Sequence, residues 1–436
     1  MNILFLTVHP PERAGFSTNE KRPPLGVGYL MAVLKKNGHN VSLSDEYLKK
    51  TDILDSDYLT EKNIDIVAIY LNTICYQNGK KILAKLESKR EKKEWEGKIF
   101  VGGPHTSLKN PDIPNYVDRI FIGESELTFP KVLSGEIKDR VVQSQIITDL
   151  DTLPMPAWEE FIYRPYDWTH PWLGGVYPIY TFNTSRGCPF SCTFCSVKSV
   201  WGKSYRYMSA QRIVNDIEYM IKVYGAKGIY FREDHFTLNK QRVVDFCNLL
   251  LKRNIKIDWM CETRADEVKD YDLQRLMKSA GCKVFYIGVE SGSPRILEKV
   301  KKGETVDDFR VAFEIAKKVG IKTYASFVVG LPFENKSDIE LTEKFIEEIN
   351  PDYQCKNVYV GIPGSDLYDY IHSNKLYEYI DSTGVIYPNG YKKNIKKYYN
   401  NLYYEVYSSG VFDSTRICLK KNARKILNFK ISSIFK

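Results

Sequence analysis

The sequence predicts an α/β protein in two parts. A Rossmann-like, flavodoxin-type parallel-sheet domain occupies residues 1–140, and a partial (β/α)6 TIM-like barrel occupies 179–375. Two observations predict this. Short apolar runs alternate with amphipathic helical stretches along most of the chain, the pattern of parallel strands covered by helices. The alternation lapses over 141–178 and restarts at Ile179, so it describes two sheets joined by a connector. Residues 376–436 then form a short C-terminal helical and basic region.

The first domain opens on "MNILFLTV", an apolar run of strand type followed by a Pro- and Gly-bearing loop. "PPLGVGYLMAVLKKNGHN" reads as a helix, with Pro24 near its start and Gly38 at its end. "VSLSD" and "IDIVAIYL" are strands, "GKKILAKLESKREKKEW" is a charged surface helix, and "GKIFVGG" and "RIFIGE" are two more strands. The connector "DTLPMPAWEEFIYRPYDW" has weak periodicity. Six strands follow: "IYTFNTS", "GIYFRED", "IDWMCET", "KVFYIGVES", "KTYASFVVGLP" and "DYQCKNVYVGIP". Helices such as "SAQRIVNDIEYMIKVYG" and "TVDDFRVAFEIAKKVG" separate them. Six such units are too few for an eightfold barrel, and a partial one keeps its active face at the C-terminal strand ends.

Composition limits the function classes. With 436 residues, 43% apolar and 27% charged, the chain can bury a large core. The N-terminus lacks the features of a secretory signal, and no apolar run reaches the roughly 20 residues of a membrane span. Nine cysteines in that setting favour metal binding or catalysis over disulfides and imply a cytoplasmic location. The net charge of +9 resides in residues 391–436, which hold eleven Lys or Arg against Glu405 and Asp413. A neutral body argues against nucleic acid as partner. The tail from Arg416 alternates basic and apolar residues, which suits either a solvated terminus or a peripheral membrane contact.

"SRGCPFSCTFCSV" places Cys188, Cys192 and Cys195 directly after the first barrel strand. Thiolates suit iron–sulfur or zinc sites, and both ordinarily take four ligands. His235 is a fourth ligand available to zinc, but no second Cys pair accompanies it. Three thiolates on a four-iron cube leave one iron open. The N-terminal domain has only Cys75, too few for a second cluster, and the scattered Cys247, Cys261, Cys282, Cys355 and Cys418 read as small core hydrophobes.

The C-x3-C-x2-C spacing with the aromatic Phe194 before its last cysteine resembles the radical S-adenosylmethionine (SAM) superfamily. "YFREDHFTLNKQRV", "CETRAD", "YIGVESGSPRIL", "FVVGLPFE" and "IPGSDLYD" resemble its successive strand-end signatures. "PPLGVGYLMAVLKKNGHNV", "VGGPHTS" and "IGESE" resemble the cobalamin-binding domain that precedes one branch of these enzymes, although D-x-H-x-x-G is absent. The resemblance implies a 4Fe–4S cluster on Cys188, Cys192 and Cys195, with SAM chelating the open iron. It implies SAM contacts at Phe194, Glu233, Asp234, Arg264 and Glu290, with Phe194 against the adenine, Glu290 on the ribose, and Arg264 on the SAM carboxylate or Glu290. For cobalamin it implies contacts at Pro24, Gly26, Gly102, Gly103, His105 and Glu124. No catalytic residue is singled out.

Each position also has a plainer reading: core packing for Phe194, a salt-bridged rim pair for Glu233 and Asp234, a structural ion pair for Arg264, and helix-start or turn roles for Pro24 and the glycines. The activity implied is methylation of an unactivated carbon of a small-molecule substrate, with electrons from a donor such as flavodoxin or ferredoxin. The alternatives are a radical dehydratase, epimerase or cyclase, and a non-catalytic cobalamin or metal sensor.

Overall fold

A computed structural model describes residues 1–9, 21–49, 51, 53–108 and 111–398. The basic tail from Arg416 lies outside the described residues, as does most of the loop after the first strand.

The N-terminal sheet comprises β1 (Asn2–Thr7), β2 (Asn40–Asp45), β3 (Ile66–Tyr70), β4 (Lys98–Gly102), β5 (Arg119–Ile122) and β6 (Val141–Gln143), in the order β2-β1-β3-β4-β5-β6. All its pairings are parallel. β1 explains why. Ile3 and Phe5 face one apolar cluster while Leu4 and Leu6 face another, so both sides of the strand are dry. That is the position of a central strand covered by helices on both faces.

The second domain begins with β7 (Ile179–Phe182). A two-residue antiparallel ladder follows, β8 (Ser185–Arg186) against β9 (Arg206–Tyr207). Then come β10 (Gly228–Phe231), β11 (Asp258–Thr263), β12 (Cys282–Glu290), β13 (Lys322–Val329) and β14 (Tyr353–Val358). The sheet order β7-β10-β11-β12-β13-β14 is parallel throughout and leaves β7 and β14 as edges: a six-stranded, open barrel. Its helices are locally specified. Ser209 accepts a hydrogen bond from the Arg212 amide to start the helix Ala210–Tyr224, and Gly225 ends it in a left-handed conformation. Thr305 and Asp308 form a reciprocal cap on Val306–Val319. A further helix, Tyr271–Ser279, was not anticipated from the sequence. Past the barrel, a hairpin of β15 (Tyr377–Ile380) and β16 (Ile386–Pro388) leads to a helix, Tyr391–Tyr398.

The stretch 141–178 is more than a connector. It supplies β6, which extends the first sheet past residue 140. It then threads Trp158 and Phe161, both fully buried, into a core shared with Phe5 and Phe129 on one side and Tyr180 and Phe231 on the other. Trp158 meets the Tyr180 ring edge-on at 5.3 Å. A Cβ on Gly28 would lie 2.8 Å from the Phe161 ring, so the helix Leu25–Lys36 packs directly on this segment. Three-residue 3-10 turns carry this packing, and such turns leave no periodic signal in a sequence. Trp158→Ala is expected to cost about 3–5 kcal/mol, measured by chemical denaturation.

Farther along the same segment, Trp172 enters the bore of the barrel. It lies 4.0 Å from the Tyr324 ring, which stacks on Tyr286 at 4.6 Å. Ile179, Tyr230, Met260 and Val284 complete this plug. Among the described residues, no helix is long and apolar enough to cross a membrane.

Candidate functional site

The three cysteines lie on the loop between β8 and β9. Gly187 starts that loop with φ +86°, and a Cβ there would lie 2.2 Å from the Ser204 carbonyl oxygen. Only glycine allows the two ends of the loop to approach this closely. Backbone bonds pin its middle: Cys195 N–H to Cys192 O at 3.1 Å, Thr193 N–H to Val300 O at 2.9 Å, and Leu367 N–H to Thr193 O at 2.8 Å. The loop therefore sits over the mouth of the barrel.

All three thiols are free and only partly buried, whereas Cys75, Cys247, Cys261 and Cys282 are buried. Burial pushes the Cys195 thiol up to about 12, with the Val197 amide opposing it, and burial raises Cys192 as well. Cys195 lies within electrostatic reach of Asp234, and Cys192 of Lys302 and Glu290. Cys188 Sγ is 3.2 Å from His235 Nε2, whose Nδ1 is 3.3 Å from Glu267. Burial would lower the His235 pKa, but its hydrogen bonds to Cys188 and Glu267 outweigh this and push it up to about 9.

Among the described residues, no three His, Cys, Asp or Glu side chains converge on one point that would hold a single metal ion. A 4Fe–4S cube does not need such convergence, because each thiolate binds a different iron. Three soft donors on one fixed loop fit that cluster.

Glu290 ends β12 with φ +65°, where the pairing with β13 slips. Its carboxylate is 3.4 Å from Lys302 Nζ. Lys302, itself buried, also lies 3.2 Å from Glu304. Burial opposes the Lys302 charge, but Glu290 and Glu304 outweigh it and raise the pKa. Asp234 is half-buried at the end of the β10 segment, and burial raises its pKa. No hydrogen bond from another described residue occupies it, so it remains open to a ligand.

Three of the other expected contacts have protein partners of their own. Glu233 is no rim residue: its carboxylate accepts from Thr184 Oγ1 at 2.8 Å, Ser185 N–H at 2.5 Å and the Thr184 amide, with Arg242 3.6 Å away. Both oxygens are used in holding the end of β7 against that of β10. Arg264 does not pair with Glu290. It is 2% exposed, binds Asp266 and the Lys302 carbonyl at 3.0 Å each, and lies 3.7 Å from the Phe190 ring centroid. Phe194 is half-buried and packs beside the Ile296, Val300 and Leu331 cluster.

In the N-terminal domain, Pro24 precedes the helix Leu25–Lys36 and its carbonyl accepts from the Gly28 amide at 3.0 Å. Gly26 is exposed on the first turn with open space around it. Gly102 closes β4, its carbonyl accepting from Leu71 N–H at 2.8 Å. Gly103 has φ +110°, and a Cβ there would meet the Leu71 carbonyl at 2.6 Å. Its first duty is thus to let the β4 turn lie against the end of β3.

His105 is buried and stacked on Tyr76, with centroids 3.8 Å apart; burial, helped by Lys80, lowers its pKa to about 4. Its Nε2 and the Tyr76 hydroxyl are buried without a hydrogen-bond partner. Two orphaned polar atoms at the C-terminal edge of the sheet fit the amide- and phosphate-bearing tail of cobalamin. Glu124 has protein partners as well: it is a buried partner of Arg186, at 2.9 Å, and of Arg206, at 2.8 Å. Glu126 binds Arg186 at 2.6 Å. The loop after β5 thereby touches the root of the cysteine loop, and the two C-terminal strand edges face one another.

Residues 182–346 match the Radical SAM superfamily and residues 16–133 the B12 binding domain. The chain is a radical SAM protein with a B12-binding domain. The cofactors that go with these domains are a 4Fe–4S cluster, SAM and cobalamin. An uncharacterized methyltransferase of Pyrococcus horikoshii is 29% identical over 396 residues, covering 85% of this chain and 83% of its own. The anaerobic magnesium-protoporphyrin IX monomethyl ester cyclase of Rubrivivax gelatinosus is 26% identical over 405 residues, covering 84% and 69%. The cobalamin-dependent radical SAM enzyme OxsB, solved with aqua-cobalamin, superposes with a TM-score of 0.66 at 22% identity. That likeness covers 86% of this chain but 55% of OxsB, and it concerns the fold.

Arg186, Arg206, Glu126, Lys302, Glu304 and Tyr76 were not anticipated from the sequence. "SRGC" and "IGESE" hold signals for two of them, Arg186 and Glu126, but their pairing spans 60 residues and is invisible to local pattern.

Proposed function

We propose that the protein is a cobalamin-dependent radical SAM methylase acting on an unactivated carbon of a small molecule. The observation that carries this reading is the approach of the β5 loop of one domain to the cysteine loop of the other, through Glu124 and Glu126 on Arg186. When bound, the cofactors supply reductive cleavage of the SAM sulfonium to a 5′-deoxyadenosyl radical and a methyl group for transfer.

The chain's own contribution is placement. Cys188, Cys192 and Cys195 would hold the cluster and leave one iron free for the amino-acid end of SAM. Asp234, open beside Cys195, would receive the SAM ammonium. Glu290, beside Lys302, would accept hydrogen bonds from the ribose hydroxyls. The Trp172 plug closes the barrel floor, so water is excluded from below. Electrons would come from a reduced flavodoxin- or ferredoxin-type donor. A cyclase reading is the second one, and the Rubrivivax gelatinosus relative favours it.

The test is anaerobic reconstitution with iron, sulfide and hydroxocobalamin, followed by a SAM assay. Stoichiometric corrinoid with both 5′-deoxyadenosine and S-adenosylhomocysteine among the products supports the methylase. 5′-Deoxyadenosine alone, from a protein that takes up no corrinoid, overturns it. Glu290→Ala is expected to weaken SAM binding by about 1.5–3 kcal/mol, the worth of a hydrogen bond to a charged group, with cluster absorbance unchanged.

A further inference from the structure

Arg186 and Arg206 are directly opposite one another in the β8–β9 ladder. Like charges in that position repel, and this ladder is only two residues long on each strand. It nevertheless closes the root of the loop that carries all three cysteines. The compensation comes from the other domain. Glu124 binds both arginines, its Oε1 lying 2.5 Å from Arg206 and its Oε2 bonded to each, while Glu126 takes the second arm of Arg186. All four side chains are less than 10% exposed. The Arg186 guanidinium lies between the Tyr29 ring at 5.5 Å and the Trp201 ring at 5.3 Å, one from each domain. Arg206 also donates to the Ile147 carbonyl at 2.7 Å.

Burying four charges is a poor way to gain stability, since desolvation consumes most of the attraction. Such a group is better suited to fixing a unique geometry. We infer that Glu124 and Glu126 form a positioning clamp through which the B12-binding domain holds the cysteine loop shut and in register with its own cofactor edge. Arg186 is the pivot, because Gly187 and Cys188 follow it directly in the chain. Without the carboxylates, the two arginines repel, the ladder opens, and the cysteine loop loses its fixed distance from the facing sheet. The clamp therefore couples two sites that share no ligand residue. This inference rests on the functional reading above, in which both cofactors are bound.

The experiment uses the full chain loaded with both groups, the cluster reduced to its paramagnetic state and the corrinoid held as cob(II)alamin. Pulsed electron paramagnetic resonance then reads the distance distribution between the two centres, and a chelator assay reads the rate of iron loss. The wild type is expected to give one narrow distance. Arg186→Met and the double variant Glu124→Gln/Glu126→Gln are expected to load both groups, broaden that distance, and lose iron about tenfold faster, the scale of coupling inside one charge network. Combining the two sets should add little further, because they break the same clamp. Arg186→Lys, which keeps the charge but cannot fork to both carboxylates, should fall between.

An unchanged narrow distance in Arg186→Met and in the Glu124→Gln/Glu126→Gln protein overturns the clamp, and so does full additivity of their effects. If Arg186→Met fails to load either group, Glu126→Gln alone, which leaves Glu124 to balance Arg186, is read by the same two measurements. A wild-type protein that takes up no corrinoid overturns the functional reading instead.

Discussion

Replacing Cys188, Cys192 or Cys195 with Ala is expected to abolish the broad visible absorbance of the reconstituted protein and all formation of 5′-deoxyadenosine. The loss should be complete, because a cube held by two thiolates has two unprotected irons and SAM occupies only one. Cys247→Ala and Cys282→Ala are the controls. Both cysteines are fully buried in the layer between the barrel sheet and its helices, with Phe246 and Trp259 in the same cluster, and they touch no open volume. Their removal should cost some stability through lost packing and leave cluster and cleavage intact. Full cluster absorbance in the Cys192→Ala protein would refute the assignment.

Glu233→Ala is expected to destabilise the protein by about 3–5 kcal/mol, the usual penalty for stranding one partner of a buried charged group. Its carboxylate accepts three hydrogen bonds from Thr184 and Ser185 and faces Arg242, which is 4% exposed. Removing it leaves the buried Arg242 guanidinium without its counter-charge and two backbone amides without their acceptor, just where the chain enters the cysteine loop. A denaturation midpoint far below that of the wild type is the expected reading. A wild-type midpoint combined with a raised SAM dissociation constant would return Glu233 to the ligand-binding set.

Glu233 and Asp234 also show how far the sequence reaches. Two adjacent acids at a strand end are equivalent as letters. The turn after β10 sends one inward to cap the end of β7 and leaves the other at the mouth, and that depends on Thr184 and Ser185 from a different strand. The strands themselves were legible because runs such as Ile3–Leu6 are apolar on both faces, which only a covered central strand requires. β6 was not legible: Val141–Gln143 is three residues long with a single buried side chain. The cysteine loop was legible because its chemistry depends on spacing along the chain. The pairs Arg186–Glu124 and Lys302–Glu290 were not, because their chemistry depends on spacing in three dimensions.

Trp158 and Phe161 have a consequence for how this protein can be cut, copied or recombined. Domains that behave as portable modules meet across polar, modest interfaces and are joined by exposed linkers. Here the joint carries Trp158 and Phe161, both fully buried, and side chains from both sheets close around them. A truncation anywhere in 141–178 would expose Phe5, Phe129, Tyr180 or Phe231 to water on one product or the other. Neither half is then a natural expression unit, and grafting this barrel behind a foreign N-terminal domain would require transplanting the joint as well. The architecture makes the cofactor pair inheritable as a single piece.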